Sequence, residues 1–205
     1  AGRERFDAFL SSYFKDKRFT NVTTEDFLAY LDENLIKKHD LDVNVDEWVY
    51  GPGLPDSHVP IESDRFNKVD AAIASFYEGT PAKDIVNPEW STHEILHFIG
   101  NIKEETTVEQ MAELNEAFGF CASGNSEIFA AWAVKAIQRG YNDCRPELRE
   151  FLTNVGRRKF LTPIYKALAN TEEGKAFALD VYSNARQNYH SVSTGTIDDI
   201  LGYKG

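Results

Sequence analysis

Apolar residues along this chain recur three and four positions apart, segment after segment, whereas runs that alternate apolar and polar residues are scarce. Recurrence at this spacing places the apolar side chains on one face of a helix, while alternation would indicate a strand. The first segment carries Phe6, Phe9, Leu10, Tyr13 and Phe14, and the second, which begins at Thr23 or Thr24, carries Phe27, Leu28, Leu31 and Leu35. The pattern predicts an all-α fold whose first two helices pair through these stripes.

The helical pattern breaks at residues 48–55, which read Trp-Val-Tyr-Gly-Pro-Gly-Leu-Pro, and polar residues then continue to Pro60. Prolines and glycines at this density cannot continue a helix, and proline makes the connection rigid. We therefore divide the chain into a helical segment 1–50, a linker 51–60 and a helical domain 61–205.

The second part of the chain contains a series of predicted helices with short connections. They cover about 63–79, 91–102, 107–119, 128–137, 146–155, 157–169, 173–186 and 196–201. Short connections make neighbouring helices antiparallel, and a stack of such pairs is a two-layer array of the armadillo or HEAT type. No sequence repeat of fixed period is present, so the predicted superhelix is irregular.

The chain is acidic, with 33 Asp and Glu against 22 Lys and Arg and a net charge of -11. Such a charge repels phosphate backbones and anionic lipid surfaces, so we expect no nucleic acid and no membrane as partner. No apolar run approaches the roughly 20 residues of a membrane span. The two cysteines, Cys121 and Cys144, are too few for a disulfide framework and lack CxxC spacing. They favour a reducing compartment, and we predict a cytoplasmic location.

One motif is typical of zinc peptidases. Residues 93–97 read His-Glu-Ile-Leu-His, an HExxH match, and a glutamate follows after 18 intervening residues. Two histidines four positions apart can present both imidazoles to a metal from one helix face, with the intervening glutamate as general base on a zinc-bound water. The candidate side chains are His93, Glu94, His97 and Glu116.

Other features of the same segment weaken this interpretation. Ser91 and Glu94 form a capping-box pattern, which places the first histidine in the opening turn of its helix. Both histidines lie opposite the apolar stripe of that helix and are predicted to face solvent or a polar neighbour. The upstream segments are helical in pattern, and none is a candidate for the edge strand that aligns the peptide in such peptidases. Without that context, the pattern indicates a coincidental match.

Three consecutive cations, Arg157, Arg158 and Lys159, form a local positive site in this acidic chain. A guanidinium can hold a carboxylate through two parallel hydrogen bonds. The alternative is a solvated helix start that balances nearby acids such as Glu147 and Glu150. Taken alone, the residues favour this second interpretation.

Three segments together resemble the C-terminal part of the leukotriene A4 hydrolase family and its bacterial aminopeptidase relatives. They are residues 48–55, residues 124–128 (Gly-Asn-Ser-Glu-Ile) and residues 156–165 (Gly-Arg-Arg-Lys-Phe-Leu-Thr-Pro-Ile-Tyr). Their order and separations are similar to those of the family. By this resemblance, residues 3–50 correspond to the helical end of a thermolysin-like catalytic domain, and residues from about Pro60 onward to a C-terminal helical domain.

The resemblance implies that the chain is part of a zinc aminopeptidase that removes N-terminal residues from short peptides. The zinc, its ligands and the catalytic tyrosine would lie upstream, in the missing N-terminal and catalytic domains. We therefore expect no metal in this chain and no activity from it alone. A Gly-Arg-x-Lys-Phe segment of the family holds the substrate carboxylate, and the matching residues here are Arg157 and Lys159, with Arg158 at the variable position.

Two other functions stay open. The chain could be a self-contained zinc peptidase that uses the four residues of the HExxH match, or a helical-repeat module that binds a protein partner on its concave face. Tightly bound zinc would favour the first function. A large exposed apolar groove would favour the second.

Overall fold

The computed structural model describes residues 1–60 and 63–204, and it divides into two compact units, Ala1–Ile61 and Glu62–Gly205. All regular elements in the described residues are helical, which confirms the all-α prediction. None of these helices is long and apolar enough to cross a membrane. The predicted start of the second domain at residue 61 lies outside the described residues.

The first unit is a helical hairpin held by aromatic side chains. Its helices are α1 (Arg3–Asp16), α2 (Thr24–Leu31) and α3 (Val45–Tyr50), with a π-helical turn at Asp32–Ile36 and a 3-10 turn at Lys37–His39. The ring of Tyr13 lies 5.2 Å from that of Phe27 and 5.3 Å from that of Tyr30, measured between centroids. These edge-to-face contacts join α1 to α2, so the predicted pairing is confirmed. The short helix α3 was not predicted.

The second unit is a two-layer array of nine α-helices in its described part. They are α4 (Asp64–Tyr77), α5 (Ala82–Ile85), α6 (Thr92–Gly100), α7 (Val108–Phe118), α8 (Ser126–Gln138), α9 (Arg145–Asn154), α10 (Arg158–Leu168), α11 (Glu172–Ala185) and α12 (Ser191–Leu201). The even-numbered helices pack side by side in chain order to form one layer. In the second layer α5 packs on α7, and α9 on α11. This is the alternating arrangement expected of armadillo or HEAT helices.

Local signals in the sequence set several helix ends. Thr107 and Gln110 form a capping box at the start of α7, and Gly119 ends that helix in the left-handed conformation with φ of 68°. The predicted start of the last helix at residue 196 is wrong, because α12 begins at Ser191. The ring of His190 accepts a hydrogen bond from the Val192 N–H at 3.2 Å and so caps the helix earlier.

Helix α8 lies between two hydrophobic clusters and contributes to both. Phe129, Ala130 and Ala133 pack into the cluster built with α9 to α12. Trp132, which is fully buried, packs with α4 to α7. Fully burying one large apolar side chain stabilises a fold by about 1.5–3 kcal/mol, so this helix is central to the stability of the second unit.

The two cysteines form a disulfide. Cys121 lies in the 3-10 turn Phe120–Ala122 after α7, Cys144 immediately precedes α9, and their Cα atoms are 5.4 Å apart. The indole N–H of Trp132 points at the Cys144 Sγ, 3.3 Å away. Two cysteines are too few for a framework, but this pair makes one bridge, so the count of cysteines was a poor guide to their state.

Candidate functional site

The cation cluster lies at the start of α10. Arg157 is the N-cap residue with extended backbone angles, φ −76° and ψ 116°, and the helix begins at Arg158. The preceding Gly156 carbonyl accepts a hydrogen bond from the Ser193 hydroxyl of α12 at 3.1 Å. The three basic side chains are exposed, so the junction with α12 anchors the backbone while the cations reach into solvent.

A single aromatic ring brings two of the three cations together. The Arg157 guanidinium carbon lies 5.4 Å and the Lys159 ammonium 5.5 Å from the centroid of the Phe160 ring. Phe160 itself is 6% exposed and packs edge-on against Phe151 at 6.1 Å. A cation within about 6 Å of an aromatic centroid is attracted to the ring. The two residues predicted to bind a carboxylate therefore share one buried platform.

Lys159 is also held by an acidic residue that the sequence analysis did not single out. Its ammonium lies 2.6 Å from both carboxylate oxygens of Glu127. Glu127 is in the first turn of α8, where its N–H donates to the Asn125 side chain at 3.0 Å. The one signal that could have found it is its place in the segment 124–128, which carries part of the family resemblance.

The arrangement is suited to an anionic ligand. No carboxylate within residues 1–60 and 63–204 forms an ion pair with Arg157, whereas Lys159 is paired with Glu127. Arg157 can therefore present its planar fork to a carboxylate, which it matches through two parallel hydrogen bonds. Arg158, at the variable position, is exposed.

The structure gives the HExxH residues other roles. The Glu94 carboxylate accepts hydrogen bonds from the Ser91 N–H at 2.9 Å and the Ser91 hydroxyl at 2.6 Å, and pairs with Arg65 at 2.7 Å. These hydrogen bonds from Ser91, with a further contribution from Arg65, lower the pKa of Glu94 to about 2. The predicted capping box is confirmed, and Glu94 is buried rather than free to act as a base.

The two histidines of the motif do not converge on a metal. His93 is exposed, whereas the ring of His97 stacks on Phe66 of α4 at 4.7 Å and places its Nε2 2.7 Å from the Asp70 carboxylate. Glu116 is exposed on α7. Across the described residues, no group of three His, Cys, Asp or Glu side chains is arranged to hold a metal ion. The residues present therefore do not fit a zinc centre.

Known proteins support the resemblance. A family model described as leukotriene A4 hydrolase, C-terminal, matches residues 90–201. Aminopeptidase B of Homo sapiens is 23% identical to this chain, and the match covers 99% of this chain and 34% of that protein. Leukotriene A-4 hydrolase of Xenopus laevis is 25% identical, and the match covers 94% of this chain and 33% of that protein.

Among solved structures, the one titled "Structure of native yeast LTA4 hydrolase" is similar with a TM-score of 0.73 and 23% identity. The match covers 99% of this chain and 36% of that chain, so this chain spans about a third of its relatives. The matched family region includes both Glu127 and the cation pair. Since that region is more than half of the sequence, the chain belongs to the leukotriene A4 hydrolase C-terminal family.

Proposed function

We propose that this chain is the C-terminal region of a zinc-dependent aminopeptidase, and that it binds the substrate carboxylate without carrying out hydrolysis itself. Family membership and the names of the relatives support the enzyme class. The observation that carries the role is the convergence of Arg157 and Lys159 on Phe160. In this proposal the zinc and its ligands belong to the catalytic domain of the complete enzyme, and the chain alone is inactive.

The two cations would divide the recognition of a short peptide. The Arg157 guanidinium donates two parallel hydrogen bonds to the C-terminal carboxylate of the peptide, and the Lys159 ammonium donates one more. A hydrogen bond to a charged group contributes about 1.5–3 kcal/mol. Holding one end of the peptide at this point fixes its reach into the catalytic domain, which favours short substrates.

The division of the chain fits the same proposal. We assign residues 1–50 to the helical tail of the catalytic domain, residues 51–60 to the linker and residues 61–205 to the C-terminal helical domain. Residues 51–60 contain no helix and lie at the end of the first compact unit, Ala1–Ile61. The N-terminal and catalytic domains of the complete enzyme would then be the partners of this chain.

The test is Arg157→Ala in the complete enzyme, assayed with a tripeptide and with the same tripeptide as its C-terminal amide. Loss of 1.5–3 kcal/mol would lower kcat/KM for the free acid by about 10- to 150-fold. The amide should be affected far less, because it offers no carboxylate. Arg158→Ala is the matched control and should leave both substrates unchanged. Equal kinetics of Arg157→Ala and the wild type on the free acid would refute the role.

The compartment is a separate question. The cytoplasmic location predicted from the two cysteines stays a prediction, and the Cys121–Cys144 bond argues against it, because disulfides form and persist in oxidising compartments. Counting the free thiols of the protein, trapped by alkylation at the moment of cell lysis, distinguishes the cytoplasm from an oxidising compartment. Two reactive thiols per denatured chain would support the cytoplasm, and none would support an oxidising compartment.

A further inference from the structure

We propose that Glu127 is a positioning residue for substrate binding, which fixes the Lys159 ammonium beside Arg157 before the peptide arrives. This inference rests on the carboxylate-binding role proposed above. Both oxygens of the Glu127 carboxylate lie 2.6 Å from the Lys159 Nζ, across 32 residues of sequence. The contact joins the first turn of α8 to the first turn of α10.

Glu127 is the fixed member of the pair. Its backbone N–H donates a hydrogen bond to the side-chain oxygen of Asn125. The side-chain amide of Asn125 donates to the Thr92 hydroxyl at 3.2 Å, which connects the start of α8 to the start of α6. A carboxylate in the first turn of a helix is also favoured by the helix dipole. The Glu127 side chain is 35% exposed and that of Lys159 is 56% exposed. The acid is therefore the less exposed side chain of the pair, and it holds the more exposed lysine.

The geometry leaves Lys159 able to bind a ligand. An ammonium group has three N–H donors, and the two oxygens of Glu127 use two of them. The Phe160 ring lies 5.5 Å from the same nitrogen and limits its position further. One donor remains for the substrate carboxylate. Because Glu127 balances the charge of Lys159, Arg157 supplies most of the attraction, and Lys159 supplies direction.

Fixing the lysine in advance has a measurable benefit. A free lysine loses rotamer freedom when it binds a ligand, and this loss weakens binding. With Glu127 in place, that freedom is already lost in the unliganded enzyme. Removing the acid should therefore weaken binding of a free carboxylate without changing the chemical step.

The experiment compares variants of the complete enzyme on a tripeptide and on its C-terminal amide. Glu127→Ala should raise KM for the free acid about fivefold, with kcat and the amide kinetics unchanged. Glu127→Gln retains a side-chain oxygen that accepts one hydrogen bond, and it should stay within about twofold of the wild type. In a Lys159→Met background, Glu127→Ala should have no further effect, because it acts only through the lysine.

The outcomes separate this inference from the function on which it rests. If Arg157→Ala leaves the preference for acid over amide unchanged, both are refuted. If Arg157→Ala removes that preference but Glu127→Ala does not alter it, or strengthens it, only the role of Glu127 is refuted. Equal losses on acid and amide would also overturn this role, because they would indicate general damage to the fold. If Glu127→Ala still weakens binding in the Lys159→Met background, the role of Glu127 is also refuted, because the acid would then act by another route than the lysine.

Discussion

Replacing Gly174 by alanine is expected to destabilise the second unit, although alanine is normally the better residue inside a helix. Gly174 lies in the first turn of α11, where its N–H donates to the side chain of the N-cap residue Thr171 at 3.0 Å. A Cβ built at this position would lie 2.4 Å from the Leu168 carbonyl oxygen and 2.8 Å from the Thr171 hydroxyl. The carbonyl belongs to the backbone at the end of α10 and cannot rotate away.

The magnitude follows from three contributions. Overpacking of a well-packed site costs about 1–3 kcal/mol. Displacing the Thr171 hydroxyl removes a helix cap and costs about 1 kcal/mol more. The gain from alanine over glycine in a helix is about 1 kcal/mol. The net expectation for Gly174→Ala is a loss of about 1–3 kcal/mol in the free energy of unfolding.

Gly195 provides the matched control. It lies inside α12, and a Cβ there would meet no atom within 4 Å beyond its chain neighbours and the nearby backbone of its own helix. Gly195→Ala should therefore stabilise the protein by about 0.5–1 kcal/mol. Both positions belong to the second unit, so urea unfolding followed by circular dichroism reports them in the same transition. A Gly174→Ala variant as stable as the wild type, beside a stabilised Gly195→Ala variant, would refute the steric argument.

Three further predictions concern stability. Reduction of the Cys121–Cys144 bond, whose cysteines are 23 positions apart, should lower the free energy of unfolding by about 3 kcal/mol. Dithiothreitol should therefore lower the Tm of the wild type and leave the Tm of Cys121→Ser unchanged. The lowered pKa of Glu94 stabilises the fold above its ordinary value of 4.5, and this contribution is lost as the pH falls towards about 2. Tm should therefore decrease more steeply below pH 4.5 in the wild type than in Glu94→Gln. Leu161→Ala, at a fully buried site, should cost about 2–5 kcal/mol in urea unfolding, against less than about 1 kcal/mol for the exposed Val192→Ala.

The helices of this chain could be predicted because their signals are local. The stripe on α4 and the caps at Ser91 and Thr107 depend only on residues within a few positions of each other, and all three are present in the structure. The start of α12 was missed because histidine is an uncommon cap and the segment after His190 is rich in serine and threonine. In such a segment, propensity alone gives a weak signal.

The candidate site depended on information that periodicity does not contain. Arg157 and Lys159 were selected by resemblance, since their charges alone favoured a solvated helix start. Both residues contact Phe160 because all three lie at the start of α10, and a sequence pattern can suggest where that helix begins. Periodicity could not predict the ion pair between Lys159 and Glu127, because that pair depends on the packing of α8 against α10 across 32 residues.

The HExxH match illustrates how helix structure can reproduce a catalytic motif. A capping box pairs a serine or threonine with a glutamate or glutamine three positions later, and here it places Glu94 where a zinc peptidase has its general base. His93, directly before that acid, is exposed, and polar residues such as histidine are common on the exposed face of a helix. His97 then packs on Phe66 and Asp70 because α4 lies beside α6. Glu94 and His97 thus each have a structural role that needs no metal. A candidate HExxH in a helical protein should therefore be checked first for a serine or threonine three positions before the glutamate.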